Sequence, residues 1–169
     1  MISDEYKKAL RGLHESVPQW GNGPRSHILR ICKWIYEEKV EDLLDYGCGK
    51  GKNIPLMLPV RVTNYDPGVP EWEADPRVCM HLMCLDVLEH IEPEYIEEVL
   101  AHIASKFKKS AMLSVSMTEA KDTLPDGRNA HLLLRPVSWW LEMLDKFFTL
   151  KQIEFNTNNI VVFVTPKQK

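Results

Sequence analysis

The chain has 169 residues, 44% of them hydrophobic, and a formal net charge of −3. That length fits one domain around one core. The charge balance excludes a polyanion binder, which needs clustered Lys and Arg. The longest basic cluster, Lys106-Phe107-Lys108-Lys109, falls at a predicted helix end where cations suit the helix dipole, so no nucleic-acid partner is expected.

In chain order, Tyr6, Leu10 and Leu13 stand at helical spacing within residues 3–16, with Ser3 or Asp4 as the cap. A loop over 17–24 precedes a second helix over 25–39, whose apolar stripe is Ile28, Leu29, Ile31, Cys32 and Ile35. Residues 40–46 then read as a buried strand ending in a glycine loop. Only a short helix, 53–58, fits before the second strand at 61–66. A proline-rich loop over 67–76 leads to a third strand at 78–85. Pro93 opens an amphipathic helix with Ile96, Val99, Leu100, Ile103 and Phe107 on one face. A strand at 111–117, a polar loop at 118–135, a helix at 136–148 and strands at 150–155 and 160–165 complete the chain. The polar link Asn156-Thr157-Asn158-Asn159 makes the last two strands a hairpin.

Alternating strands and helices predict an α/β fold: a doubly wound, mostly parallel sheet with right-handed crossovers and a C-terminal antiparallel hairpin. It is expected to be one domain over 1–169, with N-terminal helices at 1–39 and a cofactor-binding core at 40–169. Cys32, Cys48, Cys79 and Cys84 match no zinc or redox spacing, and no secretory signal precedes them. Cys32 and Cys84 sit in apolar runs and read as buried thiols, so a reducing cytoplasm is the expected setting. No apolar run approaches the roughly 20 residues that a membrane span needs.

The segment Asp45-Tyr46-Gly47-Cys48-Gly49-Lys50-Gly51 joins a strand to a helix start. Glycines there let the backbone approach a nucleotide, because a Cβ would collide with the ligand or forbid the turn. Asp66 ends the next strand and can accept hydrogen bonds from both ribose hydroxyls. The spacing is G-x-G-x-G, not the dinucleotide G-x-G-x-x-G. A carboxylate at Asp45 would be repelled by a pyrophosphate and attracted to the ammonium group of a methionine moiety. These features favour S-adenosylmethionine over NAD.

Leu43-Leu44-Asp45-Tyr46-Gly47-Cys48-Gly49-Lys50-Gly51 resembles the first signature of Rossmann-like S-adenosylmethionine-dependent methyltransferases. Asn64-Tyr65-Asp66-Pro67 resembles their second strand. Cys84-Leu85-Asp86-Val87-Leu88-Glu89-His90-Ile91 resembles the fourth-strand signature of the small-molecule methyltransferases. The segment from His131 to Trp140 resembles the approach to their last helix. The resemblance implies that the loop, Asp45, Tyr46, Gly47, Cys48 and Gly49, contacts the methionine part. It places the ribose on Asp66, the adenine beside Pro67, and the methyl group near Leu85 and Asp86. It also turns His90 toward the active site. Only 19 residues separate Asp66 from Asp86, so the family's usual third strand and its adenine-binding acid are missing. Asp75 and Glu73 are the acids left to take that place.

The expected acceptor is a small molecule or a modest polar group. His90 and His131 are the candidate general bases, and Arg128 the candidate clamp for a carboxylate or phosphate. The competing readings are an Asp-Gly turn with an exposed Arg128, and a His90 that bonds a loop carbonyl. Trp139 and Trp140 divide between the core and the border of a substrate pocket. Trp20 either closes over the cofactor or staples the first helix. His14, His27 and His102 read as solvated or packing residues. Glu89-His90 is half of a metal site that no ligand spacing completes, so no metal is expected. Two other functions compete: a cofactor-binding module or regulatory subunit without transferase activity, and an NAD-linked oxidoreductase.

Overall fold

The computed structural model describes residues 2–17, 20–21, 27–51 and 59–167. The short helix expected at 53–58 and the first residues of the helix expected at 25–39 lie outside them. The elements are α1 (Asp4–Ser16), α2 (Ile28–Glu38), β1 (Asp42–Tyr46), β2 (Arg61–Tyr65), β3 (Cys79–Leu85), α3 (Ile96–Ser105), β4 (Phe107–Ser116), α4 (Val137–Phe147), β5 (Phe148–Phe155) and β6 (Asn159–Pro166).

The six strands form one sheet in the order β2-β1-β3-β4-β6-β5. The first four pair in parallel, while β6 runs antiparallel to both β4 and β5. This is the doubly wound sheet with a terminal hairpin that the sequence predicts. Among the described residues no strand stands beyond β2, so the trimmed stretch after Asp66 removes an edge strand and leaves the rest of the order intact.

Side-chain alternation along the strands builds two cores. Leu44, Leu82, Cys84, Leu113 and Val162 face α3 and α4, where Leu100, Ile103, Trp140 and Leu144 pack. Leu43, Met83, Leu85, Met112 and Val161 face α2 through Ile31, Trp34 and Ile35. Helices of 10–13 residues are marginal alone in water. Burial holds them instead, since each fully buried Leu or Ile contributes about 1.5–3 kcal/mol. α1 stands apart on a small third cluster, where Tyr6 and Leu13 meet Leu124 of the long loop. Among the described residues, no helix is long and apolar enough to cross a membrane.

Three expectations need correcting. Leu29 is exposed, and the buried face of α2 is Ile31, Trp34 and Ile35. The two faces differ by a small rotation, and Trp34 offers more area to bury than Leu29. Cys32 is only half-buried for the same reason. The third helix stops at Ser105 and Phe107 opens β4, because Phe107 reaches the α3 core equally well as the first residue of a strand.

The sheet is pinned at its N-terminal edge by Asp42. Its carboxylate accepts from Arg77 Nη1 at 3.1 Å, from Arg61 Nε at 3.2 Å and from the Met80 N–H at 3.2 Å. The Arg77 hydrogen bond is the main cause that holds the Asp42 carboxyl well below the usual carboxylate range. A depressed folded-state pKa stabilises the fold above the unfolded value of about 4, and that gain fades as the pH falls. Asp42→Asn should lose about 1–3 kcal/mol in urea unfolding at neutral pH. The gap to the unsubstituted protein should shrink below about pH 4.

Candidate active site

The carboxyl ends of β1, β2 and β3 open into a cavity of about 420 Å³. It lies where the chain turns from β1 toward β2 on one side and β3 on the other, the usual place for a ligand in such sheets. Roughly 300–1,000 Å³ is the common range for small-molecule sites.

The glycine loop is tied to β2 through successive donors. Gly47 and Cys48 N–H both donate to the Tyr65 carbonyl, at 2.7 and 3.1 Å. Gly49 N–H donates to Asp66 Oδ2 at 2.9 Å, and Gly68 N–H donates to Asp66 Oδ1 at 2.8 Å. Lys50 N–H donates to the Gly21 carbonyl at 2.8 Å. The loop therefore spends these N–H groups on the protein and gives a ligand space rather than donors. The glycines are required for packing as well as for the ligand. A Cβ on Gly47 would stand 2.3 Å from a Val87 methyl, and one on Gly49 would stand 2.5 Å from the Gly21 carbonyl oxygen. Both have positive φ, 76° and 54°.

Asp66 is 8% exposed and lines the cavity. Burial pushes its carboxyl up, while the Gly68 and Gly49 hydrogen bonds pull it down. A carboxylate has about four acceptor positions, so two remain after these bonds. Pro67 lies beside it on the wall.

Asp86 follows β3 with φ of 54°, a left-handed conformation that Asp tolerates better than most residues. Its N–H donates to Ser114 Oγ at 2.9 Å, and the Ser114 hydroxyl donates to Asp86 Oδ1 at 2.6 Å. His27, wholly buried, brings Nε2 to 3.5 Å from the same oxygen. Burial raises the Asp86 carboxyl, but His27 and Ser114 outweigh it and hold the group below its ordinary value.

The next turn carries Glu89 and His90. Glu89 is wholly buried, and burial pushes its carboxyl far up. Its Oε1 accepts from Ser116 N–H at 2.8 Å. His90 Nδ1 meets the Ala130 carbonyl at 2.8 Å. Burial, then His131, pushes its pKa down to about 4, so the ring is neutral at physiological pH. Trp20 packs edge-on against His90 with ring centroids 5.2 Å apart, and His131 does so at 4.7 Å.

Tyr46, Gly47, Gly49, Asp66, Pro67, Asp86 and His90 thus share one cavity. Asp45, Cys48 and Leu85 lie buried just behind it, and Cys48 Sγ–H donates to the Gly49 carbonyl. Arg128 stands away from the wall in a salt bridge to Asp126 at 2.6 Å, at an exposed Asp-Gly turn. Trp140 is core, while Trp139 packs partly buried beneath Arg135. Asp75 is bonded to His102 and Lys106. Glu73 is held by Lys7 and Arg11 at the cavity rim.

α1 forms a wall that sequence reasoning did not place. Its cap, Ser3, grips Glu92 through both its N–H and its hydroxyl, at 2.8 and 2.7 Å. Tyr6 and His14 line the cavity, and Tyr6 OH and His14 Nδ1 are buried with no hydrogen-bond partner among the described residues. Burial raises the Tyr6 pKa and lowers that of His14, so both are neutral. A lone His or Tyr on a helix gives no periodic signal of such a role.

The model of the family described as "Methyltransferase domain" matches residues 22–155. Among solved structures, magnesium protoporphyrin IX methyltransferase (ChlM) from Synechocystis PCC 6803, with bound SAM, aligns at a TM-score of 0.66 and 15% identity, over 98% of this chain and 99% of that one. N-methyltransferase NodS from Bradyrhizobium japonicum WM9, in complex with S-adenosyl-l-homocysteine, aligns at 0.67 and 11%, over 98% and 100%. The Burkholderia thailandensis 1,6-didemethyltoxoflavin-N1-methyltransferase aligns at 0.66 and 16%, over 97% and 90%. No curated protein sequence matches the chain.

Alanine at Gly49 forces a left-handed residue, costing about 1–2 kcal/mol, and a backbone clash besides. Gly127, with φ of 88°, has nothing within 4 Å of its Cβ position. Gly49→Ala should therefore destabilise the protein clearly more than Gly127→Ala in urea unfolding.

Proposed function

The chain belongs to the methyltransferase-domain family, and from that premise we propose that it transfers the methyl group of S-adenosylmethionine to a small polar acceptor held in the cavity. The observation that carries the cofactor assignment is Asp66, whose carboxylate is fixed by two N–H donors on the cavity wall with acceptor positions to spare. A ribose diol has the two donors that would fill them. Tyr6 OH and His14 Nδ1 on the same wall, buried and unpartnered among the described residues, fit a polar ligand, and Tyr65 and Pro67 supply apolar surface for a purine. Asp75 is not needed for the base, since its carboxylate is taken by His102 and Lys106.

S-adenosylmethionine supplies an activated methyl on a sulfonium; the protein's task is to hold it and aim the acceptor at it. Asp45, Gly47 and Gly49 would bind the methionine end, with Asp45 adding negative charge behind the loop. Asp86, bonded by Ser114 and 3.5 Å from His27, would face the acceptor end. His90 and His131 would orient the acceptor there. Their Nδ1 atoms face the Ala130 and Thr118 carbonyls, which leaves Nε2 of each ring as the nitrogen turned to other partners. Arg128 would serve a charged acceptor only after leaving Asp126. The long loop from β4 to α4 brings both His131 and Arg128 and suits acceptor selection. The protein would act inside the cytoplasm.

Calorimetry with S-adenosylmethionine, S-adenosylhomocysteine and NAD tests the reading. The two sulfur ligands should bind at one site and NAD should not; preferential binding of NAD would contradict it. Asp66→Asn should weaken S-adenosylhomocysteine by about 1–3 kcal/mol. An analogue lacking both ribose hydroxyls should bind the two proteins about equally, which separates a ribose contact from general damage to the loop.

A further inference from the structure

Folding completes a ligand set that no sequence spacing shows. One donor atom from each of Glu89, His90 and His131 lies within 4.8 Å of the others. The three come from two places: the turn after β3 and the end of the long loop before α4.

The hydrogen bonds around them orient the set. His90 Nδ1 sits on the Ala130 carbonyl and His131 Nδ1 on the Thr118 carbonyl. A carbonyl only accepts, so each Nδ1 carries a proton, and Nε2 is the nitrogen left to offer a lone pair to a metal. Metal-bound histidines show this arrangement, with the far nitrogen donating to a carbonyl. Glu89 Oε1 is taken by Ser116 N–H, while Oε2 is buried with no hydrogen-bond partner among the described residues. A buried carboxyl oxygen without a hydrogen-bond partner is costly unless a donor or a cation meets it. Lone pairs of two imidazoles and one carboxyl oxygen are what remains.

We propose that Glu89, His90 and His131 bind one divalent transition-metal ion of the zinc type. Two nitrogens and one oxygen suit such an ion and suit Mg²⁺ poorly. Ligand atoms about 2.1 Å from an ion lie about 3.4 Å apart in a tetrahedron. The observed limit of 4.8 Å therefore leaves only a small closing movement, which the half-buried His131 can make. Three protein ligands leave a coordination position open, and His90 borders the cavity. The ligand class for that position is an oxygen donor, a hydroxyl or carboxylate. That this donor belongs to the methyl acceptor rests on the function proposed above; the metal site does not.

The test strips the full-length protein with a chelator and titrates Co²⁺ without cofactor, by calorimetry and visible absorption. One Co²⁺ per chain is expected, with d–d bands of a low-coordinate site. Affinity should fall at least about tenfold in His131→Ala and in Glu89→Gln. The first removes a half-buried side chain, and the second keeps the Glu89 shape and an oxygen for Ser116. Mg²⁺ at equal concentration should not displace Co²⁺. No one-equivalent binding by the unsubstituted protein, or equal binding by His131→Ala, would overturn the site. Equal competition by Mg²⁺ would overturn the choice of ion. S-adenosylhomocysteine affinity, measured on metal-free protein, bears on the methyl-transfer reading alone.

Discussion

The tie between the loop after β1 and the end of β2 governs the rest of the site. Tyr65 O receives two N–H groups of the loop, and the Asp66 carboxylate receives a third together with Gly68 N–H. This depends on parallel register, with Tyr46 beside Tyr65. It also depends on bare Cα positions at Gly47 and Gly49, where Val87 and Gly21 press in. A loop bound this way contributes room and shape. The polar groups that meet a ligand are then side chains from elsewhere: Asp66, Asp86, Tyr6 and His14.

Charge follows the same geometry. Asp45, Asp66 and Asp86 gather at the carboxyl ends of three strands, the first two buried and Asp86 partly so. The field they create opposes a pyrophosphate and favours a cationic group. The sulfonium and ammonium of S-adenosylmethionine, and a divalent ion near His90, answer that field at different points. The basic partners of the region are spent elsewhere, on Glu73 at the rim and on Asp42 at the opposite edge of the sheet.

Most of the sheet was legible because buried strands carry apolar runs and β1 ends in an unmistakable loop. The absent strand was legible too, as a distance: nineteen residues between Asp66 and Asp86 cannot hold a helix, a strand and two turns. Phe107 misled because its spacing from Ile103 suits a helix while its burial is satisfied by a strand. Leu29 misled because a helical stripe read from hydrophobicity alone is uncertain by part of a turn. The pairing of His131 with Glu89 and His90 was invisible. It arises from hydrogen bonds across the sheet edge, such as Leu133 N–H to the Glu89 carbonyl. The places of His27, Tyr6 and His14 around the cavity were hidden for the same reason: each meets residues far away in the chain.

The central claim is that the cavity beside Asp66 is the S-adenosylmethionine site. A crystal structure of the protein with S-adenosylhomocysteine tests it most directly. The expected result has both ribose hydroxyls on the Asp66 carboxylate, the amino-acid end along Gly47 and Gly49, and the sulfur toward Asp86 and His90. Ligand bound in another cavity, such as that between α2 and β5, or with its ribose turned away from Asp66, would contradict it.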